Sequence, residues 1–176
     1  ADAQGQEVLP RRELAYDTLV LALGSTSNFF NTPGAAEHAV TLDTTENAEQ
    51  FRLTMLKAMA LVDQAKVRDP SARLDLVIVG GGATGVELAA ELYSAADALG
   101  FYGLEVFDGK RLEVVLLEAG PRILPLLPEK LAAAAHAELE NLGVRVLANT
   151  QVVAATPDAI HVKDGTIIPA DIKVWA

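Results

Sequence analysis

Three glycines in the middle of the chain have the spacing of a phosphate-binding turn. Gly80, Gly82 and Gly85 match the pattern G-x-G-x-x-G, directly after the apolar run 74–79 and at the start of a helical pattern. The first glycine permits a tight turn, the second lets backbone approach a pyrophosphate, and the third lets the helix lie close against the strand. N–H groups of the first helical turn then face the phosphates. We therefore predict a dinucleotide site, whose remaining backbone is formed by Gly81, Ala83 and Thr84.

A carboxylate that binds the ribose hydroxyls is expected at the end of the next strand. Glu118 ends the apolar run 112–117, but it lies 33 positions beyond Gly85 instead of about 20. The segment 100–109 accounts for the difference as an extended helix end and loop. A carboxylate here accepts hydrogen bonds from ribose and repels a 2′-phosphate, which favours NADH over NADPH, although Arg122 would soften that preference. A solvated acid at a strand end is the alternative interpretation.

Other titratable residues carry less information about chemistry. Glu87 lies in the first turn of the predicted helix, where a carboxylate is favourable in any helix, so a structural role stands beside a role toward the nicotinamide end of a dinucleotide. His38, His136 and His161 fall on a loop, a helix and a strand without ligand spacing. We therefore predict no metal site and no catalytic residue within this chain.

The elements around the glycine turn alternate between strand and helix. A strand at 74–79, a helix at 84–99 and a strand at 111–118 predict a right-handed crossover between parallel strands. Pro128 at a first helical position and Gly143 just past the end frame a helix over 128–142. Further strands are predicted at 144–147, 151–155, 159–162, 166–168 and 172–175. The fold class is thus α/β, a Rossmann-like parallel sheet with flanking helices plus a small antiparallel β meander.

The first part of the chain has a different pattern. The apolar run 18–23, closed by Gly24, is typical of a strand buried on both faces. Residues 24–38 have loop chemistry and mark the expected domain boundary. From the N-cap residues Thr44 and Thr45 a helix is predicted, with apolar residues mostly three and four positions apart, ending before 69–71. Those apolar residues are Phe51, Met55, Leu56, Met59 and Val62.

Composition excludes several classes of function. The chain has 176 residues, 51% of them hydrophobic, which suits one globular domain. The absence of cysteine excludes disulfides, Cys-ligated metals and a Cys-x-x-Cys redox pair within these residues. A net charge of −10 without a Lys/Arg cluster argues against binding of nucleic-acid backbone. No apolar run of about 18 residues and no signal pattern occur, so we expect a soluble segment, one that looks excised because its final strand stops without a turn.

Several stretches together resemble one family. The residues at 16–25, 28–34, 37–39, 78–92, 117–125 and 174–176 are similar to those of the type II NADH dehydrogenases, within the wider pyridine nucleotide-disulfide oxidoreductase flavoproteins. The glycine motif points only to the wider group, whereas the loop at 24–38 and the run 118–125 are more specific. The resemblance implies an NADH-binding domain at 44–169, with 1–43 as the junction with an FAD domain and 170–176 as a return strand toward it.

The same resemblance implies positions that contact NADH. These are Gly80, Gly82, Gly85, Glu87 and Glu118, with Val152 beside the adenine. It also implies that hydride passes from NADH to FAD and that electrons then pass to a quinone, with the cofactors carrying the chemistry. FAD, quinone and attachment to the cytoplasmic face of the membrane are implied for the parent protein only. This fragment alone is expected to be cytoplasmic and inactive, and a homodimer is compatible with its sequence.

Two other interpretations stay open at this point. One is the NAD(P)H domain of another FAD-dependent reductase, of the dihydrolipoyl or ferredoxin reductase type, whose redox cysteines lie outside an NAD domain. The other is a non-catalytic dinucleotide-binding module used for sensing or assembly. The sequences that flank this chain in its parent would distinguish them, because an FAD glycine motif there settles the class.

Overall fold

The computed structural model describes residues 6, 9–10, 12–101 and 111–176. The loop predicted before the second strand falls largely outside these residues. The described helices are α1 (Ala35–His38), α2 (Thr45–Ala65), α3 (Ala83–Phe101) and α4 (Glu129–Asn141). The described strands are β1 (Leu74–Val79), β2 (Leu112–Leu117), β3 (Arg145–Leu147), β4 (Val152–Ala155), β5 (Ala159–Val162), β6 (Ile167–Pro169) and β7 (Ile172–Trp175).

Four parallel strands form the central sheet in the order β3-β2-β1-β7. Helix α3 connects β1 to β2 and helix α4 connects β2 to β3, as expected for parallel strands joined by crossovers. The chain then returns to the other side of β1, where Val79 is paired with Trp175 as well as with Leu117. This reversal of strand order at β1 opens a crevice at the carboxyl ends of the strands, where open α/β sheets bind ligands.

Both faces of the central sheet are buried, which explains the unbroken apolar runs in the sequence. Leu74, Leu76 and Ile78 of β1 belong to a cluster shared with α2, α3 and α4, whereas Val77 belongs to a second cluster with the meander. Successive side chains of a strand point to opposite faces, so a strand covered on both sides has no polar face. The α/β fold predicted from the sequence is confirmed.

The meander forms the layer opposite the helices. Strands β4, β5 and β6 pair antiparallel in that order, as predicted. Ile160 and Val162 of β5 and Ile168 of β6 are buried against the central sheet. Strand β4 is also held from its outer side, because the Ala155 N–H donates to the Pro33 carbonyl at 2.9 Å. The meander therefore fixes the loop before α1 to the edge of the sheet.

The helix ends agree with the sequence signals within one or two residues, except that α2 ends at Ala65, three residues earlier than the predicted end before 69–71. The Thr44 hydroxyl accepts from the Asn47 N–H at 3.1 Å and caps α2, as expected from its residue type. The predicted apolar face is right for four residues, but Leu56 is exposed. Pro128 is the N-cap of α4 and not its first residue. No helix in the described part of the chain combines the length and apolar character that crossing a membrane requires.

The strand predicted at 18–23 is wrong. These residues have no strand pairing, and Leu19, Val20, Leu21 and Leu23 are 57 to 89% exposed. A continuous apolar run predicts that a segment is buried, but it does not say which strand must pair with it. In the described residues the central sheet is completed by β7 and not by this segment.

Lys173 connects β7 to the meander from a buried position. Its ammonium group donates to the carbonyl oxygens of Pro157 at 2.8 Å and Ala170 at 2.6 Å. Burial lowers the pKa of Lys173 below 10.5, although Asp171 and Asp158 oppose this. The unfolded chain then binds more protons between the lowered pKa and 10.5, so stability rises with pH in that window.

This linkage is testable by comparing the chain with the Lys173→Met variant in urea. The wild-type chain should gain stability relative to the variant as pH rises from the lowered pKa toward 10.5, because folded Lys173 releases a proton that the unfolded chain still holds. A constant difference between the two unfolding free energies over that range would contradict the buried ammonium group.

Candidate functional site

A cavity of about 530 Å³ lies at the carboxyl ends of β1, β2 and β7. It is the crevice that the strand order predicts. The residues that line it are Phe30, Thr32, Val79, Gly80, Gly81, Gly82, Leu117, Glu118, Ala119, Thr150, Gln151, Val152, Trp175 and Ala176. The glycine turn and Glu118 thus share one cavity, although they lie far apart in sequence.

The glycine turn is shaped by close backbone contacts. Gly80 has φ of +121°, and a Cβ atom on it would collide with the Ala176 carbonyl. A Cβ on Gly85 would collide with the Gly80 carbonyl, which shows how closely α3 lies against β1. Gly82 differs from both, because a Cβ there would meet nothing within 4 Å. Two of the glycines are therefore needed for the fold, whereas Gly82 leaves space for something that approaches from the cavity.

Glu118 is bound to the glycine turn by its carboxylate. One carboxylate oxygen accepts from the Gly81 N–H at 2.8 Å and the other accepts from the Gly120 N–H at 2.6 Å. The side chain is half-buried at the cavity wall. Each carboxylate oxygen accepts more than one hydrogen bond, so both still have capacity for ribose hydroxyls. The two hydrogen bonds thus hold the Glu118 carboxylate in a fixed position at the cavity wall.

The segment after Glu118 is hydrogen-bonded to the glycine turn. The Leu124 N–H donates to the Gly81 carbonyl at 2.7 Å. The Arg122 guanidinium donates to the carbonyls of Leu124 at 2.9 Å, Pro125 at 2.8 Å and Leu127 at 3.0 Å. Arg122 does not line the cavity. The expectation that this arginine softens a preference for NADH is therefore not supported, since its donors bind backbone.

A second cavity of about 450 Å³ adjoins the first. The two cavities share Phe30 and Ala176, and Thr84 lines only the second. The wall of the second cavity includes Asp43, whose carboxylate accepts from the Ser27 N–H at 2.9 Å and from its hydroxyl at 2.7 Å. These hydrogen bonds lower the pKa of Asp43. Because they share Phe30 and Ala176, the two cavities form one continuous groove.

The structure brings together most residues of the predicted site. Gly80, Gly81, Gly82, Glu118 and Val152 line the first cavity, and Thr84 lines the second. Gly85 lies beneath the turn, where its lack of a side chain permits close packing. Two predicted residues, Ala83 and Glu87, are exposed at the start of α3 and line neither cavity.

Sequence reasoning missed the contribution of β7 and of the loop before α1. The end of β7 supplies Trp175 and Ala176, and the loop supplies Phe30. Trp175 is fixed by its indole N–H, which donates to the Asn28 carbonyl at 2.9 Å, and by the Phe29 ring 5.7 Å away. The strand 172–175 was predictable, but its position beside β1 was not. Parallel pairing of β7 with β1 places Trp175 and Ala176 at the site.

The arrangement can hold a phosphate without charged side chains. The first N–H groups of a helix have no acceptor within the helix, and the helix dipole adds positive potential at this end of α3. This local field operates although the whole chain carries a net charge of −10. On the same cavity wall Glu118 offers acceptors for hydroxyl groups. Phosphates next to a polyhydroxylated ring are the chemistry that such a site fits.

Comparisons with known proteins agree with this geometry. Residues 3–176 match the family described as pyridine nucleotide-disulphide oxidoreductase. The type II NADH:quinone oxidoreductase of Haemophilus influenzae is 40% identical over 98% of this chain, and the match covers 42% of that protein. The external alternative NAD(P)H-ubiquinone oxidoreductase B4 of Arabidopsis thaliana is 32% identical over 93% of this chain and 29% of its own length. The chain thus spans less than half of each of these relatives.

Solved structures have the same fold. NDH2 from Plasmodium falciparum in complex with NADH has a TM-score of 0.76 at 23% identity, covering 93% of this chain and 35% of that one. Putidaredoxin reductase, in its covalent complex with putidaredoxin, has a TM-score of 0.60 at 26% identity, covering 94% of this chain and 35% of that one. Both likenesses extend over nearly all of this chain.

Proposed function

The chain belongs to the pyridine nucleotide-disulphide oxidoreductase family, and from this premise we propose that it is the NADH-binding domain of a flavin-dependent NADH dehydrogenase. The observation that carries the proposal is that the glycine turn and Glu118 line one cavity, where the Gly81 N–H donates to the Glu118 carboxylate. The 40% identity to a type II NADH:quinone oxidoreductase supports this choice over the other reductases of the family.

Each part of the cavity has a role in the proposed binding of NADH. The N–H groups of 82–84 bind the pyrophosphate, because Gly82 leaves the approach open. Glu118 accepts hydrogen bonds from the ribose of the adenosine half. Val152 is placed beside the adenine ring. Glu87 lines neither cavity, and its place toward the nicotinamide end rests on the family resemblance alone. The protein thus orients the dinucleotide, and none of its side chains needs to transfer a proton.

The proposal extends to the longer protein that the relatives represent. The chain contains a single G-x-G-x-x-G motif, and we assign that motif to NADH. FAD is therefore placed in a part of the longer protein other than residues 44–169. FAD supplies a hydride acceptor that then passes electrons to a quinone. In this arrangement 1–43 and 170–176 connect the NADH-binding domain to the FAD domain.

Binding and turnover measured separately test the proposed function. Titration calorimetry should show that the chain binds NADH without FAD. The same preparation should not reduce a soluble quinone, because the hydride acceptor is absent. A folded chain that binds no NADH would contradict the first part. Quinone reduction without added flavin would contradict the second.

The Glu118→Gln variant tests how the site selects NADH over NADPH. The carboxylate repels a 2′-phosphate, so its neutralisation should reduce the preference for NADH by roughly tenfold. The ratio of the two dissociation constants, measured by calorimetry, is the readout. Glu138→Gln is the matched control, because it changes the net charge equally on the exposed face of α4 and should leave the ratio unchanged. An unchanged ratio in Glu118→Gln would remove this residue from the ribose site.

A further inference from the structure

Phe30 stands at the boundary between the two cavities. It lines both of them, and its side chain is 76% exposed. Its neighbour Phe29 is different, since the ring of Phe29 packs at 5.7 Å against that of Trp175. One phenylalanine of this pair therefore contributes to packing, whereas the other presents a ring to the groove without an aromatic partner in the described residues.

The backbone at Phe30 adds a second, independent observation. Phe30 and Asn31 have φ of 50° and 55°, and the Thr32 N–H donates to the Phe29 carbonyl at 2.8 Å to close the turn. Turns with two left-handed central residues favour glycine and asparagine. A bulky residue is an outlier there, and such outliers cluster at functional sites. Folding alone thus gives no reason for an exposed phenyl ring at this position.

The loop that carries Phe30 is held in place at several points. The Phe30 N–H donates to the Asn28 side-chain oxygen at 2.8 Å, and the Asn28 carbonyl accepts from the Trp175 indole at 2.9 Å. A further contact joins Pro33 to Ala155 of β4. The ring of Phe30 therefore stands on a preorganised loop, which lowers the entropy lost when it contacts a ligand.

We propose that Phe30 stacks against the nicotinamide ring of the bound dinucleotide and so positions it, an inference that rests on the proposed function. Glu118 and Val152 line only the first cavity, so the adenosine half lies there. A dinucleotide that crosses the turn at Gly82 then extends past Ala176 into the second cavity. Phe30 borders that passage, and an aromatic ring offers a planar face to a planar ligand ring.

The experiment compares NADH with ADP-ribose, which lacks the nicotinamide ring. In Phe30→Ala the dissociation constant of NADH should rise about 3- to 10-fold, whereas that of ADP-ribose should stay within about twofold of the wild type. Phe30→Tyr keeps a ring and should retain the wild-type affinity for NADH. Phe30→Gly removes the left-handed strain, so it should unfold at the same temperature as the wild type or higher, yet lose the same affinity for NADH.

The outcomes separate this inference from the proposed function. Equal weakening of NADH and ADP-ribose would overturn the nicotinamide contact, and so would unchanged binding of both. Should Phe30→Ala fail to fold, Phe30→Gly gives the same comparison. A wild-type chain that binds ADP-ribose but gains no affinity from the nicotinamide ring would overturn the stacking while leaving the dinucleotide site intact. A wild-type chain that binds neither ligand would contradict the proposed function and this inference together.

Discussion

Replacing Gly82 with valine is expected to weaken NADH binding by about 50- to 100-fold while leaving the stability of the chain nearly unchanged. The space in front of Gly82 is open, because a Cβ atom there meets nothing within 4 Å. A larger side chain would fill the approach of the pyrophosphate to the N–H groups at the start of α3. The loss falls on charge-assisted hydrogen bonds, which are stronger than neutral ones.

Calorimetric titration with NADH and thermal unfolding of the same preparation check this prediction. Gly82→Ala should give a smaller loss of affinity, since one methyl group fills less of the approach. Unchanged affinity in the valine variant would mean that the pyrophosphate binds elsewhere. Loss of the fold would mean that the space at Gly82 is needed for packing.

Gly85→Ala is expected to have the opposite profile, with a loss of about 2–4 kcal/mol in the free energy of unfolding. The new Cβ would collide with the Gly80 carbonyl. The N–H of the same Gly80 donates to the Leu117 carbonyl at 2.9 Å, so the turn cannot move away without breaking the hydrogen bond that joins the ends of β1 and β2. Helix α3 must then separate from β1.

Urea denaturation measures this loss, with Gly82→Ala as the matched control three positions away. Both variants add one methyl group to the same turn, so the difference between their unfolding midpoints isolates the contact with β1. A midpoint for Gly85→Ala equal to that of the control would contradict the close packing of α3 on the sheet.

Features with a local physical cause were predictable from the sequence. The strand at 74–79 has the bounds that the structure gives to β1, because an apolar run and a glycine turn delimit it. The predicted bounds 159–162 and 172–175 are also those of β5 and β7. The first run ends at turn residues, and the second is a short, mostly apolar run. The contact of Glu118 with the glycine turn follows from the parallel pairing of β1 and β2, which one crossover helix already implies.

Features that depend on pairing between distant segments were not predictable. The run 18–23 and the strand β7 are both short and apolar, yet β7 completes the sheet and 18–23 is exposed. Neither pattern contains information on its partner. For the same reason Trp175 was missed, because it reaches the cavity through the pairing of β7 with β1. Phe30 was missed because its loop is held by contacts with Trp175 and with β4, which lie far away in sequence.

A crystal structure of the chain with NADH bound tests the central claim most directly. We expect pyrophosphate oxygens within hydrogen-bonding distance of the backbone N–H groups of 82–84, and ribose hydroxyls bonded to the Glu118 carboxylate. NADH bound outside the cavity between the glycine turn and β7, or with its phosphates remote from the turn, would contradict the account.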